Sequence, residues 1–444
     1  MRIHLIACGG AVMHNITIAL HLKGNDVTGS DDAIYEPAKS RLEKYNLLPE
    51  KFGWDANRIT SNLDAVILGM HARIDNPELL KAKELGLKIY SFPEFIYENC
   101  KNKLRVVIGG SHGKTTTTAM IMHVLHTLSK TFDYMVGSQV EGFETMVKLT
   151  EEAPIIILEG DEYLSSPIDL RPKFHLYKPH VAMLTGIAWD HINVFPTFEN
   201  YVHQFDIFVD TMDTETHLFY YENDVYLKQI AMQHPQVISA PYNTPKYSID
   251  NENITHIISE GNTYQLQIFG EHNLQNMEGA RMVCERLAVS KHDFYTAMQS
   301  FSGAARRLEL IHNSKKLIVY RDFAHSPSKL KGTVKAVKQQ YPDKKVVAVF
   351  ELHTFSSLDR NFLPQYQHSM DDADVALVYF DEETLKQKNR ILEADAVQLN
   401  FGRHVTVFNQ PDLLKDATQH LINAEPTVLL LMSSGTFGGI NWSF

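Results

Sequence analysis

The segment GGSHGKTTTT, residues 109–118, combines closely spaced glycines with a lysine and a run of hydroxyl side chains. It follows the apolar run RVVI and precedes Val124 and Leu128, which recur at helical spacing. Glycine lets a backbone approach a phosphate closely, and a helix N-terminus presents N–H groups and a positive dipole to an anion. Lys114 adds a cation for terminal phosphates, and the Thr115 hydroxyl can reach Mg²⁺. The segment therefore predicts a phosphate-binding loop for a nucleotide.

This loop departs from the usual phosphate-loop spacing at one position. A glycine is expected five residues before Gly113, and Ile108 stands there, whereas the shorter form that begins at Gly110 is intact. An ordinary strand–turn–helix corner is the alternative interpretation. The strand before the loop and the helix after it favour nucleotide binding. The residues assigned to ATP are Gly110, Ser111, His112, Gly113, Lys114, Thr115 and Thr116.

Acidic residues follow two further predicted strands in the same part of the chain. IIILEGDEY carries Glu159, Asp161 and Glu162, and VAMLTGIAWDHINVF carries Asp190 and His191. Open α/β sheets bind ligands at the carboxyl ends of their strands, where a magnesium–triphosphate complex requires oxygen ligands. Strand-end acids are also common as solvated loop residues, and a lone histidine is often structural. Because both clusters follow a phosphate loop, metal or phosphate binding is the favoured interpretation.

A second glycine-rich turn, CGGAVMHN, follows the first predicted strand, IHLIA. Gly9 and Gly10 occupy the first positions of a dinucleotide-binding turn, but the third glycine position holds His14. Asp31 follows at about the distance of an acid that bonds a ribose hydroxyl. An NAD domain and a sugar-nucleotide domain would both use these residues.

Short apolar runs alternate with helical patterns along the whole chain, which indicates parallel βαβ units. At 444 residues the chain is too long for one core. We predict three consecutive α/β domains: a Rossmann-like domain over 1–100, a P-loop ATPase-type domain over 101–303 and a Rossmann-like domain over 304–444. The charged segment 98–104 is interpreted as a linker. Residues 240–270 are expected to be irregular and partly antiparallel.

Composition narrows the classes of function. The net charge of −11 argues against a nucleic-acid-binding surface. Cys8, Cys100 and Cys284 follow no metal-binding or disulfide spacing. No apolar run approaches the ~20 residues of a membrane helix, and the first residues lack a signal-peptide pattern. We expect a cytoplasmic protein with no nucleic-acid or membrane partner.

Six segments resemble, in their order, the motifs of the Mur ligase family: GSHGKTTT, LEGDEY, AWDHINVF, GEHNLQN, GAARRLE and RDFAHSP. These ATP-dependent ligases build the peptide of bacterial cell-wall precursors. The resemblance implies ATP and Mg²⁺ as cofactors, with a UDP-sugar on the first domain, ATP on the second and the amine substrate on the third. CGGAVMHN, VTGSD and LLLMSSGTFGGI more specifically resemble members that join UDP-N-acetylmuramate to the tripeptide L-Ala-γ-D-Glu-meso-diaminopimelate in peptidoglycan recycling.

The resemblance also implies roles for individual residues. The catalytic assignments are Lys114, His191 and His325, and His325 would position substrate between domains. The metal ligands would be Thr115, Glu159 and His191. From the other motifs, the adenine and ribose contacts would be Asn273, Asn276, Arg307 and Asp322. For Asn273, a helix N-cap is an equally good interpretation. The UDP-sugar candidates are Gly9, Gly10, Ser30, Asp31 and His71.

Three positions depart from the family pattern. Gly186 replaces an asparagine, Arg321 replaces an acid that often precedes the ribose aspartate, and Ser326 replaces a second histidine. The last of these makes the acceptor uncertain, so ligation of free L-alanine to the same sugar nucleotide is the nearest alternative. A catalytically inactive nucleotide-binding regulator and an NAD-dependent oxidoreductase are alternatives of other classes. We expect a monomer or a weak homodimer.

Overall fold

The computed structural model describes residues 1–402 and 404–444, which fall into two compact units. The first unit comprises Met1–Ile187, Phe198–Asn243 and Gly279–Phe294. The second comprises Ala188–Thr197, Thr244–Glu278 and Tyr295–Phe444. Among the helices of these described residues, none is both long and apolar enough to cross a membrane.

The first unit begins with a parallel four-stranded sheet of order β2-β1-β3-β4. Its elements are β1 (Arg2–Ile6), α1 (Ala11–Leu22), β2 (Asp26–Ser30), α2 (Ala38–Lys44), β3 (Ala65–Leu68), α3 (Pro77–Glu84), β4 (Ile89–Ser91) and α4 (Phe92–Cys100). The chain passes from β1 to β2 on one side and then to β3 on the other. The turn after β1 therefore lies where the strand order reverses, which is where such sheets bind ligands.

A second sheet of the first unit has seven strands in the order β13-β12-β11-β5-β8-β6-β7, all parallel except the β6–β7 pair. Its elements, with the β9–β10 hairpin, are β5 (Leu104–Gly109), α5 (Lys114–Thr127), β6 (Asp133–Met135), β7 (Val147–Lys148), β8 (Ile155–Glu159), β9 (Leu164–Ser166), β10 (Asp169–Pro172), β11 (Val181–Leu184), α6 (Phe198–Asp210), β12 (His217–Tyr221), α7 (Val225–Gln233) and β13 (Ile238–Tyr242). Strand β5 lies between β8 and β11, so the loop after it also occupies a point of strand-order reversal.

The second unit holds an antiparallel sheet, β14-β15-β16, and a six-stranded sheet of order β17-β18-β22-β19-β20-β21. Its elements, with two helices that run across both units, are β14 (Tyr247–Ile249), β15 (Thr255–Ser259), β16 (Asn262–Leu266), α8 (Glu271–Arg286), α9 (Lys291–Met298), β17 (Glu309–Asn313), β18 (Leu317–Asp322), α10 (Pro327–Gln340), β19 (Lys345–Leu352), β20 (Val375–Phe380), α11 (Glu382–Gln387), α12 (Ala394–Phe401), β21 (Val405–Phe408), α13 (Pro411–Ala424) and β22 (Thr427–Met432). Within the larger sheet, the edge strand β17 pairs antiparallel with β18, and the other described pairs of strands are parallel.

The larger sheet of the second unit is buried on both faces. Side chains alternate along its central strands between two apolar clusters, so that Val319, Val347 and Leu429 belong to one cluster and Ile318, Val346 and Val428 to the other. Parallel strands covered on both faces read as continuous apolar runs. The sequence shows such runs in KLIVYRDF, KVVAVFEL, ADVALVYF and TVLLLMSS, which contain strands β18, β19, β20 and β22.

The antiparallel character predicted within residues 240–270 is confirmed by β14, β15 and β16. The linker predicted over 98–104 is shorter in the structure and comprises residues 101–103, because α4 continues to Cys100 and β5 begins at Leu104. One charge of this segment is used inside the unit, because Lys103 pairs with the buried Asp133 at 2.7 Å. Lys101 and Glu98 form an exposed ion pair at 3.2 Å.

Candidate active site

The glycine-rich loop joins the end of β5 to the start of α5. Gly110 has φ 124° and Gly113 has φ 78°, and both values favour glycine. A Cβ added to Gly110 would lie 2.1 Å from the Thr185 hydroxyl oxygen, which is far inside van der Waals contact. Two of the glycines that predicted a phosphate loop are therefore required by the backbone conformation and the packing.

The end of β11 holds the loop from one side. The backbone N–H of Ser111 donates to the Gly186 carbonyl at 2.9 Å, and the Thr185 hydroxyl is within hydrogen-bonding reach of the Gly109 and His112 carbonyls. Gly186 itself has φ 144°. This conformation is rarely adopted by residues with a Cβ, which gives a physical reason for the departure from asparagine at this position.

Lys114 lies at the first position of α5, where its ammonium group has two acceptors. Its Nζ atom donates to the Gly110 carbonyl at 2.6 Å and to the Glu162 carboxylate at 2.5 Å. Burial opposes the charged form, but the nearby carboxylates of Glu162 and Asp161 outweigh it and raise the pKa of Lys114. The loop therefore holds a permanent cation beside its backbone amides.

Glu159 and Thr115 bring two oxygen ligands together at the end of β8. The Thr115 hydroxyl donates to the Glu159 carboxylate at 3.0 Å, and the other carboxylate oxygen accepts from the Gly137 N–H at 2.8 Å. Burial raises the pKa of Glu159. A carboxylate paired with a hydroxyl beside this loop offers the oxygen donors that Mg²⁺ prefers, so these residues fit that ion. Asp161, by contrast, forms an ion pair with Lys173.

The turn after β1 gathers most of the residues predicted to bind a UDP-sugar. The Asp31 carboxylate accepts from the Gly9 N–H at 2.7 Å and from the Asp32 N–H at 2.9 Å. A Cβ added to Gly10 would lie 3.9 Å from the His71 ring. The structure thus places Gly9, Gly10, Asp31 and His71 around one strand end.

Ser30 has a different environment from the rest of that group. It is fully buried, and its hydroxyl donates to the Glu78 carboxylate. Glu78, also fully buried, accepts from the Asp55 N–H at 2.9 Å and lies 3.3 Å from the His4 ring. Glu78 could not be recognised from the sequence, because a glutamate within the helical pattern NPELLKAKELG looks like a solvated residue.

In the second unit, Asp322 is the last residue of β18, and Arg307 lies two residues before β17. The Asp322 carboxylate accepts from the Leu308 and Ala324 N–H groups, each at 2.7 Å. The Arg307 guanidinium lies 4.6 Å from the centre of the Phe323 ring. Arg321 is exposed and pairs with Glu309 on the neighbouring strand β17 at 2.9 Å. The arginine that departs from the family pattern therefore forms a surface ion pair.

Asp190, His191 and His325 also belong to the second unit. The His325 Nε2 atom lies 4.0 Å from the Asp190 carboxylate, which accepts from the His191 N–H at 2.8 Å. Burial, together with the nearby Lys329 cation, lowers the pKa of His325 to about 3, so its ring is neutral. The ring Nδ1–H donates to the Phe323 carbonyl at 2.9 Å, and the Tyr366 hydroxyl donates to the His325 carbonyl at 2.6 Å. His325 is consequently held from both its ring and its backbone.

Asn273 and Asn276 both lie within α8 and are 7% and 6% exposed. The N-cap interpretation of Asn273 is wrong, because α8 begins two residues earlier at Glu271. The Asn273 side-chain amide instead donates to the Phe269 carbonyl at 2.9 Å.

Another acid, at the carboxyl end of β19, was missed by the sequence analysis. Glu351 is 2% exposed and accepts from the Phe437 N–H at 2.8 Å and from the Ser433 hydroxyl. His353 lies beside it, with Nδ1 3.8 Å from the carboxylate. The strand-end acid in KVVAVFEL carried the same signal as LEGDEY and could have been found by the same rule.

Together, the sheets that reverse order, the glycine-rich loop and its lysine define a nucleotide-binding α/β protein. Three family models match this chain: Mur ligase family, catalytic domain, over residues 2–103; Mur ligase middle domain over 108–284; and Mur ligase, glutamate ligase domain, over 306–435. The chain therefore belongs to the Mur ligase family, whose members are ATP-dependent ligases that form amide bonds. The predicted family, enzyme class and three-domain α/β fold class are confirmed. The domain boundaries stay predictions.

Individual relatives span almost the whole chain. The UDP-N-acetylmuramate–L-alanine ligase of Lactobacillus helveticus is 29% identical over 95% of this chain and 94% of its own. The fold is similar to murein peptide ligase from Psychrobacter arcticus, at 22% identity, TM-score 0.67, and coverage of 99% of this chain and 97% of that one. It is also similar to UDP-N-acetylmuramate–alanine ligase from Thermotoga maritima, at 20% identity, TM-score 0.70, and coverage of 98% and 96%.

Proposed function

We propose that this protein uses ATP to join the carboxylate of UDP-N-acetylmuramate to the amine of the tripeptide L-Ala-γ-D-Glu-meso-diaminopimelate. The observation that carries the reaction class is the pairing of Thr115 with Glu159, beside Lys114 on a phosphate loop. Mur ligases use ATP and act on UDP-N-acetylmuramate-derived substrates with an amino acid or peptide. The proposal assigns one such reaction to this chain and places it in the cytoplasm.

The proposed chemistry has two steps. A carboxylate is a poor electrophile, so a substrate carboxylate oxygen first attacks the γ-phosphorus of ATP, which breaks the bond to the bridging oxygen and releases ADP. The amine then attacks the carbon of the resulting acyl phosphate. The tetrahedral intermediate collapses to the amide as inorganic phosphate leaves, and the amine loses its proton to solvent or a base.

The phosphate loop would align the reacting groups and neutralise charge. Backbone amides at the start of α5 would hold the phosphate oxygens, and Lys114 would offset the charge that builds on the transferring phosphoryl group. Thr115 and Glu159 would hold Mg²⁺, which supplies further charge neutralisation when bound. The roles predicted for His191, His325, Asn273, Asn276, Arg307 and Asp322 remain part of the proposal on the strength of the family resemblance.

The turn after β1 is proposed to bind the UDP portion of the sugar nucleotide. Gly9 and Gly10 follow the strand at the reversal of strand order, and Asp31 and His71 lie beside them. An NAD-dependent oxidoreductase would use the same turn but would leave the phosphate loop without a role. Membership of the Mur ligase family supports the sugar nucleotide.

The acceptor distinguishes two candidates. The resemblance of CGGAVMHN, VTGSD and LLLMSSGTFGGI favours the tripeptide. Relatives such as the Lactobacillus helveticus enzyme, by contrast, bear the name of an L-alanine ligase. ADP release should be measured with UDP-N-acetylmuramate and either acceptor in turn. Faster release with the tripeptide supports the proposal, and faster release with free L-alanine overturns it. No substrate-dependent release with either acceptor would instead favour the inactive nucleotide-binding regulator.

A further inference from the structure

Helix α6 places one tyrosine directly behind the phosphate loop. Tyr201 is fully buried, and its ring packs edge-to-face against Phe205 on the same helix, with ring centres 5.4 Å apart. Its hydroxyl lies 2.7 Å from the Ser111 hydroxyl and 3.1 Å from the Glu162 carboxylate. All of these residues belong to the first unit.

The chemistry of the three groups determines the direction of their hydrogen bonds. A carboxylate only accepts, so the Tyr201 hydroxyl donates to Glu162. Because that uses the single proton of the tyrosine, the Ser111 hydroxyl donates to the Tyr201 oxygen. Glu162 uses its other oxygen on Lys114 at 2.5 Å, and a hydrogen-bonded chain thus runs from Ser111 to the loop lysine.

Both donors of Ser111 are therefore used inside the protein. Its hydroxyl donates to Tyr201, and its backbone N–H donates to the Gly186 carbonyl at 2.9 Å. Ser111 is 3% exposed. The hydroxyl of the residue that interrupts the glycines of the loop is thus engaged with Tyr201.

We infer that Tyr201 is a positioning residue for nucleotide binding, which acts through Ser111 and Glu162 on the phosphate loop. This inference rests on the proposed use of ATP. By joining α6 to both ends of the loop, the Tyr201 hydroxyl holds the backbone amides and the lysine in the arrangement that receives a triphosphate. Preorganisation of this kind lowers the ordering cost of binding.

The test compares the affinity for MgATP of the wild-type protein with Ser111→Ala, Tyr201→Phe and the double variant by isothermal titration calorimetry. Each single variant is expected to weaken binding about tenfold, the effect of losing one well-formed hydrogen bond. The double variant should be no weaker than either single variant, because both substitutions break one shared interaction. If Ser111→Ala alone weakens binding, or if the effects add, Ser111 contacts the phosphate directly and the inference is overturned.

A matched control separates positioning from general stability. Tyr242 is also a buried tyrosine of the first unit, and its hydroxyl donates to the Leu184 carbonyl at 3.2 Å. Tyr242→Phe should lower the melting temperature about as much as Tyr201→Phe and leave the affinity for MgATP unchanged. Equal loss of affinity in both variants would overturn the inference.

Further outcomes keep the inference testable if a variant does not fold and keep it separate from the proposed function. If Tyr201→Phe does not fold, hydrogen exchange of the loop amides in Ser111→Ala replaces it; faster exchange without nucleotide supports the inference, and unchanged exchange contradicts it. If the wild-type protein does not bind MgATP, the proposed function fails, and this inference fails with it. If wild type and Tyr201→Phe bind equally well, only the inference fails.

Discussion

The Nζ atom of Lys114 lies 2.5 Å from the carboxylate of Glu162, a residue 48 positions later in the chain. The loop lysine therefore has a carboxylate partner within the protein, which a triphosphate would replace or share. Removing one member of a buried ion pair lowers the free energy of unfolding by more than the pair contributes to it, because the removal leaves an uncompensated buried charge. Glu162 thus keeps Lys114 charged and positioned for the proposed substrate.

Replacement of Lys114 by methionine should abolish most of the proposed activity. The change keeps an unbranched side chain one atom shorter and removes its charge, so ADP release at saturating ATP should fall at least about 100-fold. Lys386→Met is the matched control, since Lys386 is exposed and pairs with Glu383 on the same helix. It should leave the rate unchanged. A Lys114→Met protein that retains the wild-type rate would contradict the proposed role.

Glu159→Gln should change the requirement for magnesium. The substitution removes the charge of a partly buried carboxylate that lies 3.0 Å from the Thr115 hydroxyl. We expect the Mg²⁺ concentration that gives half-maximal ADP release to rise about tenfold or more. Glu151, whose side chain is 79% exposed, provides the control Glu151→Gln. An identical magnesium dependence in Glu159→Gln and wild type would exclude Glu159 as a metal ligand.

Two glycine substitutions should have opposite effects on stability. Gly110→Ala requires a Cβ 2.1 Å from the Thr185 hydroxyl oxygen at φ 124°, so we expect it to destabilise the protein by about 2 kcal/mol or more. Gly332 lies inside α10 with nothing within 4 Å of an added Cβ, and Gly332→Ala should stabilise the protein by about 0.5–1 kcal/mol. Denaturant unfolding of both variants tests this; a destabilising Gly332→Ala would contradict it.

Stability should fall in mild acid because of His175. Burial lowers the pKa of this histidine to about 4, although the hydrogen bond from its Nε2 to the Gln204 carbonyl opposes the shift. In the unfolded chain His175 has the ordinary pKa of 6.5, so it takes up a proton at a higher pH than in the folded protein. The stability that depends on neutral His175 is therefore fully present above pH 6.5 and is lost as the pH falls towards 4. The difference corresponds to about 3 kcal/mol.

The measurement for His175 is denaturant unfolding at pH 7.5 and pH 4.5. His175→Gln keeps a donor for the Gln204 carbonyl and does not titrate. Its stability should therefore fall less between the two pH values than that of wild type. An equal fall in both proteins would show that His175 does not carry the acid sensitivity.

The local features of this protein could be predicted from its sequence. The phosphate loop, the alternation of strands and helices and the antiparallel segment each depend on residues that are close together in the chain. A turn that binds phosphate needs glycines, a lysine and a helix N-terminus within a few positions, so its signature is short and direct. The apolar strands of the second unit were recognisable for a similar reason, because burial on both faces leaves a continuous apolar run.

Tertiary structure decided which polar groups meet. The Thr115 hydroxyl contacts Glu159, which lies 44 positions away in the chain. The Ser111 hydroxyl contacts Tyr201, which lies 90 positions away. No rule of sequence spacing connects either pair. The same limit explains why Glu78 and Glu351 were missed and why Lys103 was misread as part of a linker, since a charged residue looks solvated until its partners are known. The sequence alone determined where a glycine-rich loop joins a strand to a helix N-terminus, because local backbone geometry suffices for that. Only the fold decided which acids, hydroxyls and carbonyls surround the loop, because those contacts depend on how distant strands and helices pack.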